Sequence, residues 1–292
     1  MQPLFKTSDI SSTMLITLYS RSQESLSKDP IIKDLKSVEM IEIIKKEIAG
    51  SDNPIHRKIL SDSYNPKLAV TMALRCRRFD KYVADFLAKY PEGTVINLGC
   101  GLDTRFYRVD NGRVNWYDID FPEVIALRKR FMDENSRHFF IGKSVLNKEW
   151  IMMIKSEGPY LILAEGLFMY LNETDLKELF QRIQNDLGSG ELVCEVTNSY
   201  WVNKMNSTWM KWKFRRQLGM TGGAVFSFGI PDNRYFEKWS RKYEYLDEWT
   251  YFDEHEKKLG WFNLFSSIEI FRKAQWTVHY RIKKTTYKKF GT

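Results

Sequence analysis

The sequence is poor in the residues from which disulfide frameworks and metal sites are built. Its three cysteines, Cys76, Cys100 and Cys194, stand far apart, and its four histidines show no metal-ligand spacing. We therefore expect neither a secreted disulfide scaffold nor a bound metal. The apolar runs fall far short of the roughly 20 residues that cross a bilayer, and the first ten residues lack the apolar core of a signal peptide. The prediction is a cytoplasmic protein without a membrane partner.

Acidic residues are missing from one long stretch of an otherwise mixed chain. Residues 196–231 contain no Asp or Glu, although the net charge of the whole chain is only +8. Five basic residues fall in that stretch: Lys204, Lys211, Lys213, Arg215 and Arg216. Such a cluster can attract nucleic acid, a membrane surface or a small anionic ligand, or it can form a solvated basic face.

Apolar and aromatic residues, by contrast, are abundant. They make up 43% and 15% of the chain, enough for a sizeable packed core, which excludes a largely disordered protein. Residues 13–21, 31–48 and 67–90 carry apolar residues at three- and four-residue spacing, which predicts helices. We expect 1–90 to form a helical N-terminal cap region on a core at 91–292, within one structural domain.

Residues 94–195 alternate short apolar runs with helical patterns. The runs predict buried strands at 94–98, 115–119, 138–141, 160–164 and 191–195. The helical patterns between them lie at 122–135, 148–155 and 173–187, with Pro122 opening one helix and Asn172 placed to cap another. This alternation is typical of an α/β fold in which helices cover both faces of a parallel sheet.

The chain leaves that rhythm after residue 195. Trp201, Met205, Trp209 and Trp212 fall on one helical stripe, which predicts a helical insertion near 198–230. Strand-like segments follow at 243–251 and 276–282, with a helical pattern at 263–274 between them. The predicted sheet therefore has about seven strands.

A glycine-rich turn follows the first predicted strand. Gly99 and Gly101 allow the backbone to turn tightly and to approach a ligand closely. About 20 residues further on, the second strand ends in Asp118 and Asp120, where an acid can bind the two hydroxyls of a ribose. Thr104 replaces the third glycine of the dinucleotide fingerprint, which argues against NAD or FAD. A nucleoside cofactor without phosphates remains compatible with the turn.

Three segments in this order resemble the leucine carboxyl methyltransferase family. They are LGCGLDTRF at 98–106, DIDFPEV at 118–124 and AEGLFMYL at 164–171. They are most similar to a bacterial branch described as polyketide-synthesis O-methyltransferases, and residues 74–80 also match. The resemblance covers roughly residues 60–195 well. It implies a Rossmann-like class I methyltransferase sheet, S-adenosylmethionine as cofactor, and methyl transfer to a small-molecule or carboxylate oxygen.

The resemblance also implies roles for single residues. Arg75 would pair with the methionine carboxylate of the cofactor, and the turn at Gly99 and Gly101 would lie against its methionine part. Asp120 would bind the ribose hydroxyls, with Asp118 as the competing choice on spacing alone.

Three further positions follow from the same resemblance. Ser144 and Val145 stand where relatives often have Asp-Leu beside the adenine, and Glu165 would face the cofactor near its sulfonium or its amine. Asp103 is expected to bind the backbone of its own loop rather than a ligand.

The acceptor is less defined than the cofactor. Methyl transfer from a sulfonium is an in-line displacement, so the enzyme mainly orients the reactants and excludes water. The sequence offers no convincing catalytic base, which favours an acceptor that is already ionised, such as a carboxylate or an acidic hydroxyl. We expect residues 1–60 and 198–230 to form a lid over a small anionic or aromatic acceptor. The candidate acceptor-binding residues are Arg21, Tyr170, Tyr200, Lys204 and Arg215.

Two other hypotheses stay open at this point. The basic aromatic segment 200–216 could belong to a nucleic-acid-binding module, because aromatic rings stack on bases and cations hold phosphates. That partner is less expected, since a tryptophan stripe more often packs into a core. The chain could also be a relative that binds the cofactor without turning it over. The sequence leaves the question of a homo-oligomer open.

Overall fold

A computed structural model describes residues 9–155, 158–205 and 226–283, and the statements below concern these ranges. The strands are β1 (Thr94–Leu98), β2 (Asn115–Asp120), β3 (His138–Gly142), β4 (Tyr160–Ala164), β5 (Gly190–Thr197), β6 (Tyr243–Trp249) and β7 (Gln275–Ile282). They form one sheet in the order β3-β2-β1-β4-β5-β7-β6. Strands β1 to β5 are parallel, whereas β7 runs antiparallel to both of its neighbours.

Helices precede the sheet and connect its strands. They are α1 (Asp9–Ser25), α2 (Leu35–Glu47), α3 (Pro54–Leu60), α4 (Pro66–Lys89), α5 (Phe106–Val109), α6 (Pro122–Arg128), α7 (Glu149–Met152), α8 (Glu173–Arg182), α9 (Ser199–Met205) and α10 (Glu269–Arg272). Tighter 3₁₀ segments lie at Phe168–Tyr170, Tyr235–Lys238 and Lys257–Ser267, and the π-helical turn Ile183–Leu187 continues α8. None of the described helices combines the length and the apolar character that crossing a bilayer requires.

Side chains of the central strands pack on both faces of the sheet. Ile96 and Leu98 of β1 pack in one core cluster with Leu176 of α8, whereas Val95 packs on the opposite side with Phe79 of α4. Strands β1 and β4 are buried along their whole length, as parallel strands covered on both faces must be. The predicted α/β sheet of about seven strands with helices on both faces is confirmed.

Local signals in the sequence explain several helix starts. Pro122 occupies the first turn of α6, and the Asn172 side chain accepts from the backbone N–H of Asp175 at 2.9 Å at the start of α8. Both features were expected from the sequence. The helix predicted from residue 31 begins instead at Leu35, because Asp34 caps it by accepting from Ser37 N at 3.0 Å.

The other predicted boundaries differ in places. Helix α3 lies between the predicted helices 31–48 and 67–90, where the sequence analysis assigned no helix, and α6 ends at Arg128 rather than at residue 135. Of the predicted insertion at 198–230, α9 and residues 226–230 are described. Residues 206–225, with Lys211, Lys213 and Arg215, lie outside the described residues.

Candidate active site

A cavity of about 250 Å³ opens at the carboxyl ends of β1 and β4. The strand order reverses between these two strands, and open parallel sheets bind ligands at such a switch point. Its walls include Met14 and Arg21 of α1, Arg75 of α4, the loop after β1 and the segment after β4 with Tyr170; Phe226 and Gln275, from later in the chain, complete the described lining. The first helix therefore covers a site that the sheet itself defines.

The loop after β1 is a turn that requires glycine. Gly99 and Gly101 have φ values of 65° and 50°, a region that residues with a Cβ seldom adopt. A Cβ at Gly99 would lie 2.9 Å from Leu167 Cδ1, and one at Gly101 would lie 3.1 Å from Met14 Cγ. The turn is thus packed directly against the side chains of Leu167 and Met14, and both glycines also line the cavity.

Two buried arginines line the cavity from different helices. Arg21 of α1 donates from Nε to Asp34 Oδ2 at 2.9 Å. Arg75 of α4 donates from Nε to Glu165 Oε1 and from Nη1 to Glu195 Oε2, both at 2.8 Å. The arginines are only 6% and 7% exposed, so these partners are needed to hold their charges inside the protein.

The carboxylates at the cavity are ionised at neutral pH. Burial would raise the pKa of Glu165, but Arg75 and Arg105 hold it below its ordinary value. Burial acts in the same direction on Asp103, whose pKa is nevertheless kept well below its usual range, mainly by Arg105. Neither acid is therefore suited to accept a proton from a neutral hydroxyl.

A continuous chain of ion pairs connects the two cavity arginines, and we call it the arginine–carboxylate chain. In order, its pairs are Arg21–Asp34, Asp34–Arg108, Arg108–Asp80, Asp80–Arg105, Arg105–Glu165 and Glu165–Arg75, at 2.6 to 3.0 Å. Its members come from α1, the start of α2, α4, the loop after β1, α5 and the end of β4. The position of α1 is thereby tied to the strand ends beneath the cavity.

Asp118, one of the two candidates for a ribose, does not face the cavity. Its carboxylate is only 1% exposed. The Oδ2 atom accepts from Arg128 at 2.5 Å and lies 2.7 Å from His138 Nε2. The Oδ1 atom accepts from Asn97 at 2.9 Å and from Trp116 at 3.0 Å. Burial opposes its charge, but Arg128 and His138 keep its pKa low. These partners occupy both of its oxygens, and the ribose role of Asp118 remains a prediction.

Asp120 lies at the end of β2, beside the glycine turn. Its Oδ2 accepts from Gly101 N at 2.8 Å and its Oδ1 from Phe121 N at 2.7 Å. Burial raises its pKa, and the side chain stands next to the cavity rather than in its lining. The ribose role of Asp120 remains a prediction.

Ser144 and Val145 follow β3, away from the cavity lining. Val145 belongs to the core, where its carbonyl accepts from Trp150 Nε1 at 2.9 Å. Ser144 Oγ accepts from Leu146 N at 3.3 Å and so shapes its own turn. Their predicted contact with an adenine stays untested.

The predicted acceptor residues divide into three groups. Arg21 and Tyr170 line the cavity, where the ring of Tyr170 stacks on Phe226 at 5.5 Å. Tyr200 and Lys204 of α9 do not line it; the Lys204 ammonium lies over the Tyr200 ring at 5.7 Å. Arg215 lies outside the described residues.

The sequence analysis missed the partners that hold the cavity charges. Glu195 and Arg105 are 0% and 1% exposed and bind Arg75 and Glu165 respectively. A signal existed for Glu195, which is a single acid inside the apolar run of β5. Asp103 was expected to bind its own loop, and its Oδ1 does accept from Arg105 N at 3.0 Å, but it also lines the cavity.

The site fits the amino-acid end of a nucleoside cofactor. Arg21 and Arg75 can receive a carboxylate, Glu165 and Asp103 can face an ammonium or a sulfonium, and the glycine turn lines the same cavity. Within the described ranges, no group of three or more His, Cys, Asp or Glu side chains is arranged to hold a metal ion.

A sheet of this order, with a glycine turn and a charged cavity at its switch point, defines a Rossmann-like cofactor-binding protein. The family model named "Leucine carboxyl methyltransferase" matches residues 11–184. The tetracenomycin polyketide synthesis O-methyltransferase TcmP of Streptomyces glaucescens is 28% identical over 246 residues, which cover 82% of this chain and 83% of the relative. The S-adenosyl-L-methionine-dependent methyltransferase dpfgK of Gibberella zeae is 30% identical over 59% of this chain and 60% of its own.

The chain belongs to the leucine carboxyl methyltransferase family. The crystal structure of a DUF574 family protein from Streptomyces avermitilis shares the fold, with a TM-score of 0.54 and 13% identity over 82% of this chain and 95% of that one. The predictions of the family, of a methyltransferase and of S-adenosylmethionine as its cofactor are confirmed. The alternative of a nucleic-acid-binding module is not favoured.

Proposed function

We propose that this methyltransferase transfers the methyl group to an oxygen that is already ionised, in a small acceptor that carries a carboxylate or an acidic hydroxyl. The observation that carries the proposal is the charge state of the cavity. Its acids, Glu165 and Asp103, are held ionised by arginines, and no histidine occurs among its described lining residues. Such a site has no good base for a neutral alcohol, whereas an ionised acceptor needs none.

The cofactor supplies a methyl group on a sulfonium, and this chain's residues orient it. In the proposed arrangement, Arg75 binds the methionine carboxylate, and Glu165 lies near the ammonium or the sulfonium. The backbone at Gly99 and Gly101 carries the methionine part, and Asp120 accepts from the ribose hydroxyls. Ser144 and Val145 are the proposed neighbours of the adenine.

The acceptor side is proposed to lie under α1. Arg21 supplies a cation for an anionic acceptor, and the stacked rings of Tyr170 and Phe226 supply an aromatic wall. Burial raises the pKa of Tyr170, so its hydroxyl stays protonated and can donate to the acceptor. The name of TcmP, an O-methyltransferase of polyketide synthesis, supports an oxygen acceptor.

The wider organisation follows the same proposal. Residues 1–90 act as a helical cap on the core at 91–292, supported by the apolar cluster that Leu15 and Leu18 of α1 share with Leu102 and Ile125. A cytoplasmic location is supported by three buried cysteines, all of them free. Homo-oligomerisation is left open.

An acceptor screen with radiolabelled S-adenosylmethionine tests the proposal. Each aromatic carboxylic acid is paired with its primary alcohol, and each acidic phenol with the corresponding hydroxymethyl compound, so that one member of each pair offers an ionised oxygen and the other a neutral hydroxyl. We expect label in the products of the acids and acidic phenols, with one S-adenosylhomocysteine formed per methyl ester or ether. Transfer to the neutral alcohols at the same rate would contradict the proposal.

A further inference from the structure

Two residues outside the described cavity lining hold Arg75 in place, one of them directly and the other through the first. Glu195 of β5 is completely buried, and its carboxylate accepts from Arg75 Nη1 at 3.1 and 2.8 Å. Tyr251, two residues past the end of β6, donates its hydroxyl to Glu195 Oε1 at 2.6 Å. Hydrogen bonds thus connect Arg75 at the cavity wall, through Glu195, to Tyr251 in the segment after β6.

This arrangement fixes the direction of the guanidinium. Glu165 accepts from Arg75 Nε and Glu195 accepts from Nη1, so two of its three nitrogens are held. Within the described parts of the chain, Nη2 makes no hydrogen bond. Because an arginine fork is planar and rigid, fixing two nitrogens also fixes where the third can donate.

The charge of Arg75 could be neutralised without both Glu195 and Tyr251. Glu165 already pairs with Arg75, but its other oxygen accepts from Arg105 Nη2 at 2.6 Å, so this acid is shared between two arginines. Glu195 pairs with no second arginine among the described residues. Its Oε1 atom accepts from the Tyr251 hydroxyl and would otherwise have only the 3.1 Å contact with Arg75 Nη1. The pair is therefore dedicated to Arg75.

We propose that Glu195 and Tyr251 are positioning residues that aim Arg75 at the carboxylate of the bound cofactor. The inference rests on the proposed role of Arg75. Without the Tyr251 hydroxyl, Glu195 Oε1 keeps only its 3.1 Å contact with Arg75 Nη1, so the carboxylate can rotate and carry the guanidinium out of its fixed direction. The contact with the cofactor's carboxylate weakens, whereas contacts with its nucleoside do not change.

Two ligands that differ at the amino-acid end test this inference by calorimetry. S-adenosylhomocysteine carries the carboxylate, and 5′-methylthioadenosine has the same nucleoside and sulfur without it. In Tyr251→Phe we expect the affinity for S-adenosylhomocysteine to fall roughly five- to tenfold, the usual worth of one hydrogen bond, and that for methylthioadenosine to stay within twofold. Tyr243→Phe is the matched control, since the buried Tyr243 hydroxyl donates to the Phe180 carbonyl at 2.8 Å. It should change neither affinity.

The outcomes separate the possibilities. An equal loss for both ligands in Tyr251→Phe means a general structural role and overturns the inference, and so does no loss for either. If that variant does not fold, Glu195→Asp keeps the charge, shortens the reach to Arg75 and must give the same selective loss. A wild-type protein that binds neither ligand would contradict the proposed function itself, and the inference with it.

Discussion

Single acidic residues inside apolar strands have different tasks in this protein. Asp118 and Asp120 are two positions apart on β2 and so point to the same side of the sheet. Asp118 lies deeper, where it joins Arg128 to His138 and holds α6 against β3. Asp120 lies at the strand end, where its partners are backbone N–H groups. Position along the strand, rather than residue type, therefore separates a structural acid from a candidate ligand-binding one.

Exchanging each of these acids for its amide should separate the two tasks. Asp118→Asn leaves the buried Arg128 without its counter-ion, which should lower the free energy of unfolding by about 3 kcal/mol. Asp120→Asn keeps an oxygen for the Gly101 N–H but removes the acceptor of the Phe121 N–H, so it should cost only about 1 kcal/mol of stability and weaken S-adenosylhomocysteine binding about tenfold. Urea denaturation and calorimetry on both variants measure the difference. The reverse pattern would mean that the ribose role belongs to Asp118.

At the scale of elements, the turn after β1 and helix α1 define the cavity together. The turn contributes Gly99 and Gly101 to the cavity lining, and α1 contributes Met14 and Arg21. Met14 also packs directly on the turn at Gly101. Asp34 links the two, since it binds Arg21 and accepts from Thr104 Oγ1 at 2.6 Å. The helix and the turn are thus parts of one site.

A pair of glycine substitutions tests how closely the turn is packed. Gly99→Ala introduces a left-handed alanine, which costs about 1–2 kcal/mol, and also a contact of 2.9 Å with Leu167. Gly112→Ala is the control, because its φ of 78° imposes similar strain while nothing lies within 4 Å of its Cβ. We expect both variants to lose stability in thermal unfolding, and only Gly99→Ala to lose S-adenosylhomocysteine binding. Equal ligand affinity in both would show that the turn does not contact the cofactor.

The role of α1 in acceptor binding is tested by removing charges. Arg21→Met should raise the KM of an anionic acceptor about tenfold, the loss of one charged hydrogen bond, with little change in S-adenosylmethionine affinity. Lys204→Met on α9 should leave both unchanged, because Lys204 lies outside the described cavity lining. Steady-state kinetics on the two variants provide the comparison. A lower S-adenosylmethionine affinity with an unchanged acceptor KM would assign Arg21 to the cofactor instead.

At the scale of the whole molecule, the fold was predictable from the sequence, because apolar runs and helical patterns alternate at regular spacing. The glycine turn and Arg75 could be located through short segments similar to a known family. The arginine–carboxylate chain could not, since members such as Arg75 and Glu165 are 90 positions apart in sequence and meet only after the sheet has formed. Composition likewise could not show that Tyr200 and Lys204, which belong to the acid-free stretch, lie outside the described cavity lining.

The arginine–carboxylate chain should make stability depend on acid pH. Burial opposes the charges of Asp34 and Glu165, but arginines lower the pKa of each, so the folded chain binds fewer protons there than the unfolded one. Their contribution is full above the ordinary carboxylate pKa of about 4 and is lost as the pH falls through the folded values. Asp120 acts in the opposite direction, because burial raises its pKa. Urea denaturation between pH 7 and 3 should show a falling free energy of unfolding below about pH 4, and a flat profile would contradict the ionised pairs.

The central claim is that the cavity at the β1–β4 switch point binds the nucleoside cofactor of a methyltransferase. Calorimetric titration of the full chain with S-adenosylhomocysteine, with NAD as the comparison ligand, tests it most directly. The account predicts one site of micromolar affinity for S-adenosylhomocysteine, lost in Arg75→Met, and no binding of NAD. Micromolar binding of NAD without binding of S-adenosylhomocysteine would contradict it.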